Sequence, residues 1–177
     1  MAHYNNSATA LCDADSFPDY VYEDVWTTGN ALTLLRRRPT DQPFFLWVNF
    51  PGPHPPFLVT ADMRASTAGR TFPGPVDADG SGVHPAAPTV CTATGEPHVG
   101  DRCDYAAEIE ALDAHFSTLL AELDAQGVRN NTIIVVASDH GELLGDHGDF
   151  GKTKPWGGSL GVPLIIAGPN IAKNRTE

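Results

Sequence analysis

The chain has 177 residues and a formal charge of −11, with a sequence pI of about 4.8. That length suits one domain with a real core, and the acidity excludes a nucleic-acid backbone as partner, since phosphate binding needs a basic face. No run approaches the ~18 apolar residues that would span a bilayer, and "MAHYNNSATALCDADS" lacks a basic start followed by an apolar core, so neither a membrane span nor a signal peptide is expected.

In chain order, "SFPDYVYEDVWTTGNALTLLRRRP" predicts a helix that Ser16 can cap, with Asp19 three residues on. Val21, Val25, Leu32 and Leu35 fall near one face, and Pro39 ends the helix. Arg36, Arg37 and Arg38 sit at its end, where cations suit the helix dipole. "PFFLWVNF" (43–50) is an apolar run between prolines and predicts a strand buried on both faces. From Pro51 to about Gly100 the composition turns to Pro, Gly, Thr and Ala, a long excursion with at most a short helix near Thr60–Ala65.

Next comes the clearest helix. Tyr105, Ile109, Leu112, Phe116, Leu119, Leu120 and Leu123 recur at three- and four-residue steps, and Gly127 closes it. "NTIIVVAS" and "VPLIIAG" predict two more buried strands. Apolar strands alternating with amphipathic helices indicate an α/β fold: one mostly parallel sheet with flanking helices, in a single domain over 1–177.

Three cysteines, Cys12, Cys91 and Cys103, have no metal-finger spacing. Cys91 and Cys103 could close a disulfide in an oxidising compartment, although the odd count leaves this open. The sequons at Asn5, Asn130 and Asn174 matter only in a secreted chain and are read as chance.

Two predicted strands run directly into loops of unusual chemistry: "VNFPGPHPPF" after the first, "VVASDHGELLGDHG" after the second. Ligands of open α/β sheets collect beyond the carboxyl ends of the strands, so parallel strands would set His54 and the Asp139/His140 pair on one rim. Prolines around His54 fix its loop, which suits holding an imidazole in one place; a plain turn residue is the competing reading. A carboxylate beside an imidazole is a plausible half of a divalent-metal shell, and the competing reading makes Asp139 a turn cap and His140 an exposed side chain. Lys152 and Lys154 follow, ammonium groups able to meet an anion. "HGELLGDH" does not have the zinc-protease spacing, and "DADGSG" (77–82) opens like a calcium loop whose twelfth position would be Pro88.

Taken in order, "PFFLWVNFPGPHPPF", "YAAEIEALDAHFSTLLAELDAQG", "NTIIVVASDHGELLGDHG" and "GKTKPWGGSLGVPLIIAGP" resemble the sulfatase family of the alkaline-phosphatase superfamily. The likeness covers most of the chain and is weakest over about 66–100. It implies hydrolysis of sulfate esters, from small molecules or carbohydrates, with a bound divalent cation, usually calcium. The family's nucleophile is a formylglycine made from cysteine in a C-x-P/A-x-R motif. By this resemblance Asp139 and His140 fall on the late pair of metal ligands, where many members have Asp-Asn. His54 falls on the histidine that contacts the sulfate or its leaving oxygen, and Lys152 on the lysine that binds sulfate oxygens, both catalytic positions. His147 matches a recurrent position near the site.

The chain also departs from the pattern. No Asp-Asp pair matches the family's first metal-binding strand, and Ser16 and Gly95 stand where an arginine should follow Cys12 and Cys91. Trp156-Gly157 replaces a frequent Tyr-Glu, and Gly161 a common arginine. The expectation is a partial domain, its middle-to-late portion, inactive alone for lack of a nucleophile. A phosphodiester or phosphonate monoester hydrolase, whose relatives also carry Asp-His, and a non-catalytic anion- or metal-binding remnant are the alternatives.

Overall fold

The structure, a computed structural model, describes residues 22–76, 87–92 and 102–172. Helices α1 (Glu23–Arg37) and α2 (Ala61–Thr67) are followed by short strands β1 (Thr71–Phe72) and β2 (Thr89–Val90), then by helix α3 (Arg102–Ala125), strand β3 (Ile134–Ala137), the single turn α4 (Gly157–Leu160) and strand β4 (Leu164–Ala167). The chain forms two compact units, Met1–Gly74 with Ala86–Leu119, and Pro75–Pro85 with Leu120–Glu177.

In the first unit, α1 has Glu23 and Asp24 in its first turn and Arg36 and Arg37 in its last, the order the helix dipole favours. Its buried stripe is Asp24, Thr28, Ala31 and Leu35, which keeps Leu35 of the face expected from periodicity and fills the rest with other residues. Val25 and Leu32 are only half-buried. The stripe tolerates polar groups because they are bonded: the Thr28 hydroxyl donates to the Asp24 carbonyl at 2.7 Å, and the Asp24 carboxylate accepts the Gly52 N–H at 3.4 Å. The proposed cap at Ser16, with Asp19 and Val21, lies outside the described residues.

Residues 43–50 are not the two-sided buried strand expected. They alternate strictly, with Phe44, Leu46, Val48 and Phe50 half-buried and Phe45, Trp47 and Asn49 exposed, and have no ladder partner among the described residues. The alternation is that of extended backbone with one face packed. Beyond it, Phe57 and Val59 are fully buried, and the Phe57 ring meets Tyr105 of α3 edge-on at 5.5 Å.

The short helix near Thr60 is present as α2, capped by the Thr60 hydroxyl, which accepts the Met63 N–H at 3.3 Å. Arg64 on α2 makes a buried ion pair with Asp104 of α3, Nε to Oδ1 at 3.4 Å. The β1–β2 ladder is antiparallel, and Cys91 next to it is bonded to Cys103 in α3, closing the disulfide that the sequence left open. The first turns of α3 bury Cys103, Asp104, Ala107 and Glu108, whereas Ile109, expected inside, is exposed.

In the second unit β3 and β4 lie where expected but pair antiparallel, Ile134 with Ala167 through Ala137 with Leu164. A parallel return needs a crossover of a dozen or more residues that carries the chain back along the sheet, usually a helix. Between β3 and β4 the only α-helix is the one-turn α4, so the chain turns back on itself. Both ladders among the described residues are therefore antiparallel, and the mostly parallel sheet is not seen there. Val135, Leu164, Ile165 and Ile166 face outward, so this ribbon is not buried on both faces either.

Candidate functional site

The greasy strand β3 ends at Ala137, and the next residues carry the chemistry. Asp139 is largely exposed, with 84% of its side chain accessible, and its Oδ2 lies 3.5 Å from His140 Nε2. Slight desolvation, which would raise the Asp139 carboxyl, is outweighed by the backbone N–H of His140 at 2.9 Å and the adjoining imidazole, so its pKa is held below the usual range. The group is an anion at neutral pH.

His140 Nδ1 lies 3.0 Å from the Gly141 carbonyl oxygen. A carbonyl can only accept, so Nδ1 carries the proton, and the neutral ring has its lone pair on Nε2 beside the carboxylate. Two electron-pair donors side by side are stabilised by a positive charge between them, either a proton or a metal ion.

The rest of the acidic loop holds itself together. Glu142 Oε1 accepts the N–H groups of Gly151 at 2.6 Å and Leu144 at 3.3 Å. Asp146 Oδ1 accepts the Val76 N–H at 2.8 Å, and His147 returns its own N–H to the Val76 carbonyl at 2.7 Å. The His147 ring stacks on Trp156 with centroids 4.3 Å apart, and its backbone takes a positive φ of 56°. Leu143 is wholly buried under this loop.

Lys152 follows the turn that Glu142 ties, and its carbonyl accepts the hydroxyl of the buried Ser159 at 2.9 Å. Gly141 donates its N–H to the Ser159 carbonyl at 2.8 Å, and a Cβ at Gly141 would collide with the Gly158 carbonyl oxygen. Asp139, His140, His147 and Lys152 thus share the second unit.

His54 belongs to the first unit, in the exposed loop "PGPHPPF" between residue 50 and the buried Phe57. Its Nδ1 lies 2.7 Å from the Pro55 carbonyl oxygen, so here too the proton sits on Nδ1. Sequence reasoning missed two buried carboxyls beside this loop, Asp24, which accepts the Gly52 N–H, and Glu108. Neither was singled out from the sequence, because an acid at a buried helix position carries no periodic signal.

Among the described residues no group of three or more His, Cys, Asp and Glu side chains gathers as a metal-ligand set. Asp139 and His140 fit a divalent cation by donor chemistry and fall short of it by number, since calcium takes about six to eight oxygens. No helix described is long and apolar enough to cross a membrane.

This chain has relatives among known proteins. It is 31% identical over 183 residues to the multifunctional alkaline phosphatase superfamily protein PehA of Trinickia caryophylli, covering 90% of this chain and 35% of that protein. It is 28% identical to an arylsulfatase of Clostridium perfringens (90% and 35%) and 30% identical to human iduronate 2-sulfatase (96% and 35%). The chain therefore spans about a third of the length of these curated relatives.

Among solved structures, the sulfatase-like protein yidJ of Bacteroides fragilis superposes with a TM-score of 0.67 at 24% identity, over 86% of this chain and 32% of that one. The phosphonate monoester hydrolase SpPMH of Silicibacter pomeroyi gives 0.64, at 24% identity over 87% and 34%. At these identities the two structures speak for the fold, which is α/β of the alkaline-phosphatase type. The sulfatase family model, for its part, matches residues 1–177 from end to end, and with it this chain belongs to the sulfatase family of the alkaline-phosphatase superfamily.

Proposed function

We propose that this chain carries part of the anion- and metal-handling machinery of an enzyme that hydrolyses sulfate esters. The observation that carries the reading is the Asp139–His140 pair, an ionised carboxylate and a ring nitrogen 3.5 Å apart at the end of a strand. A metal held there, usually calcium in the family, would neutralise charge on the sulfate group. Lys152 would add an ammonium for the sulfate oxygens, a cation fixed before the charge develops. With the proton of His54 on Nδ1 toward Pro55, Nε2 could donate to a leaving oxygen only when the ring is cationic.

The nucleophile is a separate matter. Cys91 is in a disulfide and cannot be oxidised to formylglycine, and Cys12 lacks the arginine that its motif requires. The 177-residue chain alone is expected to hydrolyse 4-nitrophenyl sulfate no faster than buffer. Turnover that survives replacement of all three cysteines would refute the formylglycine mechanism, and turnover lost at Cys12 would reveal a hidden precursor.

The metal claim is tested by calorimetry with calcium. Weak binding that disappears in Asp139→Ala is expected; binding indifferent to that substitution would sink the assignment, and sub-micromolar affinity would show that the shell is complete. The Asp139-His140 sequence and the likeness to the phosphonate monoester hydrolase SpPMH favour one second reading, a phosphodiester or phosphonate monoester hydrolase. Rates on 4-nitrophenyl sulfate against phenyl phosphonate esters, in a longer chain that carries a C-x-P/A-x-R motif, separate the two. A non-catalytic anion-binding protein would turn over neither.

A further inference from the structure

The loop that carries His54 has little backbone with which to hold itself. Over "PGPHPPFL" (51–58), four of eight residues are proline, so only Gly52, His54, Phe57 and Leu58 have an amide N–H. One of those four is taken by a side chain, since Asp24 of α1 accepts the Gly52 N–H at 3.4 Å; at the other end Glu108 of α3 lies close enough to the Leu58 N–H for that dipole to favour its ionised form. Both acids are 2% exposed, an unusual place for a carboxyl, and neither belongs to the metal pair or the acidic loop.

The fit around Asp24 is close, since a Cβ at Gly52 would lie 2.8 Å from its Oδ2. We propose that Asp24 and Glu108 are positioning residues that grip the His54 loop at its two ends, so that the imidazole is presented in one orientation and one tautomer. The proposal rests on the reading of His54 as a sulfate contact only for its purpose; the grip itself is a statement about the loop. It assigns two helices, α1 and α3, a shared task at the His54 loop.

Chemistry supports such a grip. A carboxyl oxygen accepts a backbone N–H whether the group is ionised or protonated, so burial does not cost the contact. Burial first, then the neighbouring acids Asp24 and Asp104, push the Glu108 pKa up to about 9, which keeps it neutral under ordinary conditions despite the Leu58 N–H. A neutral acid at the core is replaceable by an amide, which makes the inference testable without unfolding the protein.

The test is long-range proton–nitrogen NMR of the histidine rings in the intact 15N-labelled chain. In the parent protein His54 should show a single Nδ1-protonated form. Asp24→Ala and Glu108→Ala should each turn the His54 signals into those of a mobile ring exchanging between tautomers, while His140 and His147 keep theirs. Asp24→Asn and Glu108→Gln retain an accepting oxygen and should restore the parent His54 pattern. Alanine variants that leave His54 unchanged, or amide variants that disturb it as much as alanine does, overturn the grip. A second measurement does not depend on any variant: the Gly52 and Leu58 amides should exchange with solvent about tenfold or more slowly than unprotected ones, and unprotected rates would overturn it equally. Adding 4-nitrophenyl sulfate reads the other question. If His54 signals ignore the ester while both the tautomer and amide protection hold, the sulfate role fails and the grip stands.

Discussion

Five ionisable groups follow β3 within nine residues, and side-chain chemistry alone does not separate their roles. Asp139 and His140 point their donors at one another and outward, whereas Glu142 and Asp146 spend theirs on backbone N–H groups and His147 packs on Trp156. The sequence marks the loop as unusual, because a solvated turn has no use for so many acids and imidazoles. Which acids hold backbone and which remain outward depends on turn geometry, and that is set by glycines such as Gly145, at a φ of 88°. Glu142→Ala should therefore act on the loop. Losing both accepted N–H bonds is expected to cost about 1–3 kcal/mol and to make the Gly151 amide exchange quickly. Calcium binding that vanished in Glu142→Ala while Gly151 stayed protected would instead make Glu142 a ligand.

Helices α2 and α3 were legible because capping and period are local, and they emerge at Ala61–Thr67 and Arg102–Ala125. The inner face of α1 was not, because an acid and a threonine occupy positions that periodicity reserves for valine and leucine. Strand direction was also hidden, since an apolar run such as 134–137 reads the same in either orientation. Two consequences belong to these elements. The Arg64–Asp104 pair is buried on both sides, so Arg64→Ala takes a guanidinium away from a buried carboxylate beside Glu108 and should lose about 3–5 kcal/mol in urea unfolding. Replacing both residues with apolar ones of similar size should cost far less, and equal losses would mean that the pair itself, not the stranded charge, carries the stability. The Cys91–Cys103 bond closes a separation of 12 residues, and Cys103→Ser should cost about 2–3 kcal/mol. An unfolding midpoint indifferent to reductant would contradict that.

At the scale of the molecule, a net charge of −11 already disfavours the compact state as carboxylates ionise, and Glu108 adds a term with a definite sign. Its folded pKa, pushed up to about 9 by burial and by Asp24 and Asp104, lies well above the ordinary glutamate value of 4.5 that the unfolded chain should show. Between those two values the folded state keeps a proton that the unfolded state has released. Stability is then fully present below about pH 4.5 and falls as pH rises through the window, by up to ~1.4 kcal/mol per pH unit for one proton, until Glu108 ionises near pH 9. Asp24, also raised by burial, pulls the same way; Asp139, lowered, pulls oppositely, but its exposure makes that contribution slight. Surface repulsion gives a similar trend, so the parent curve cannot isolate the buried acid. Glu108→Gln can, because it leaves every other charge in place and cannot titrate. Urea midpoints measured from pH 5 to pH 9 should fall for the parent and fall less steeply for Glu108→Gln, the difference corresponding to about one proton. Parallel curves would mean that Glu108 is already ionised in the folded chain, with an ion or base beside it that the described residues do not include.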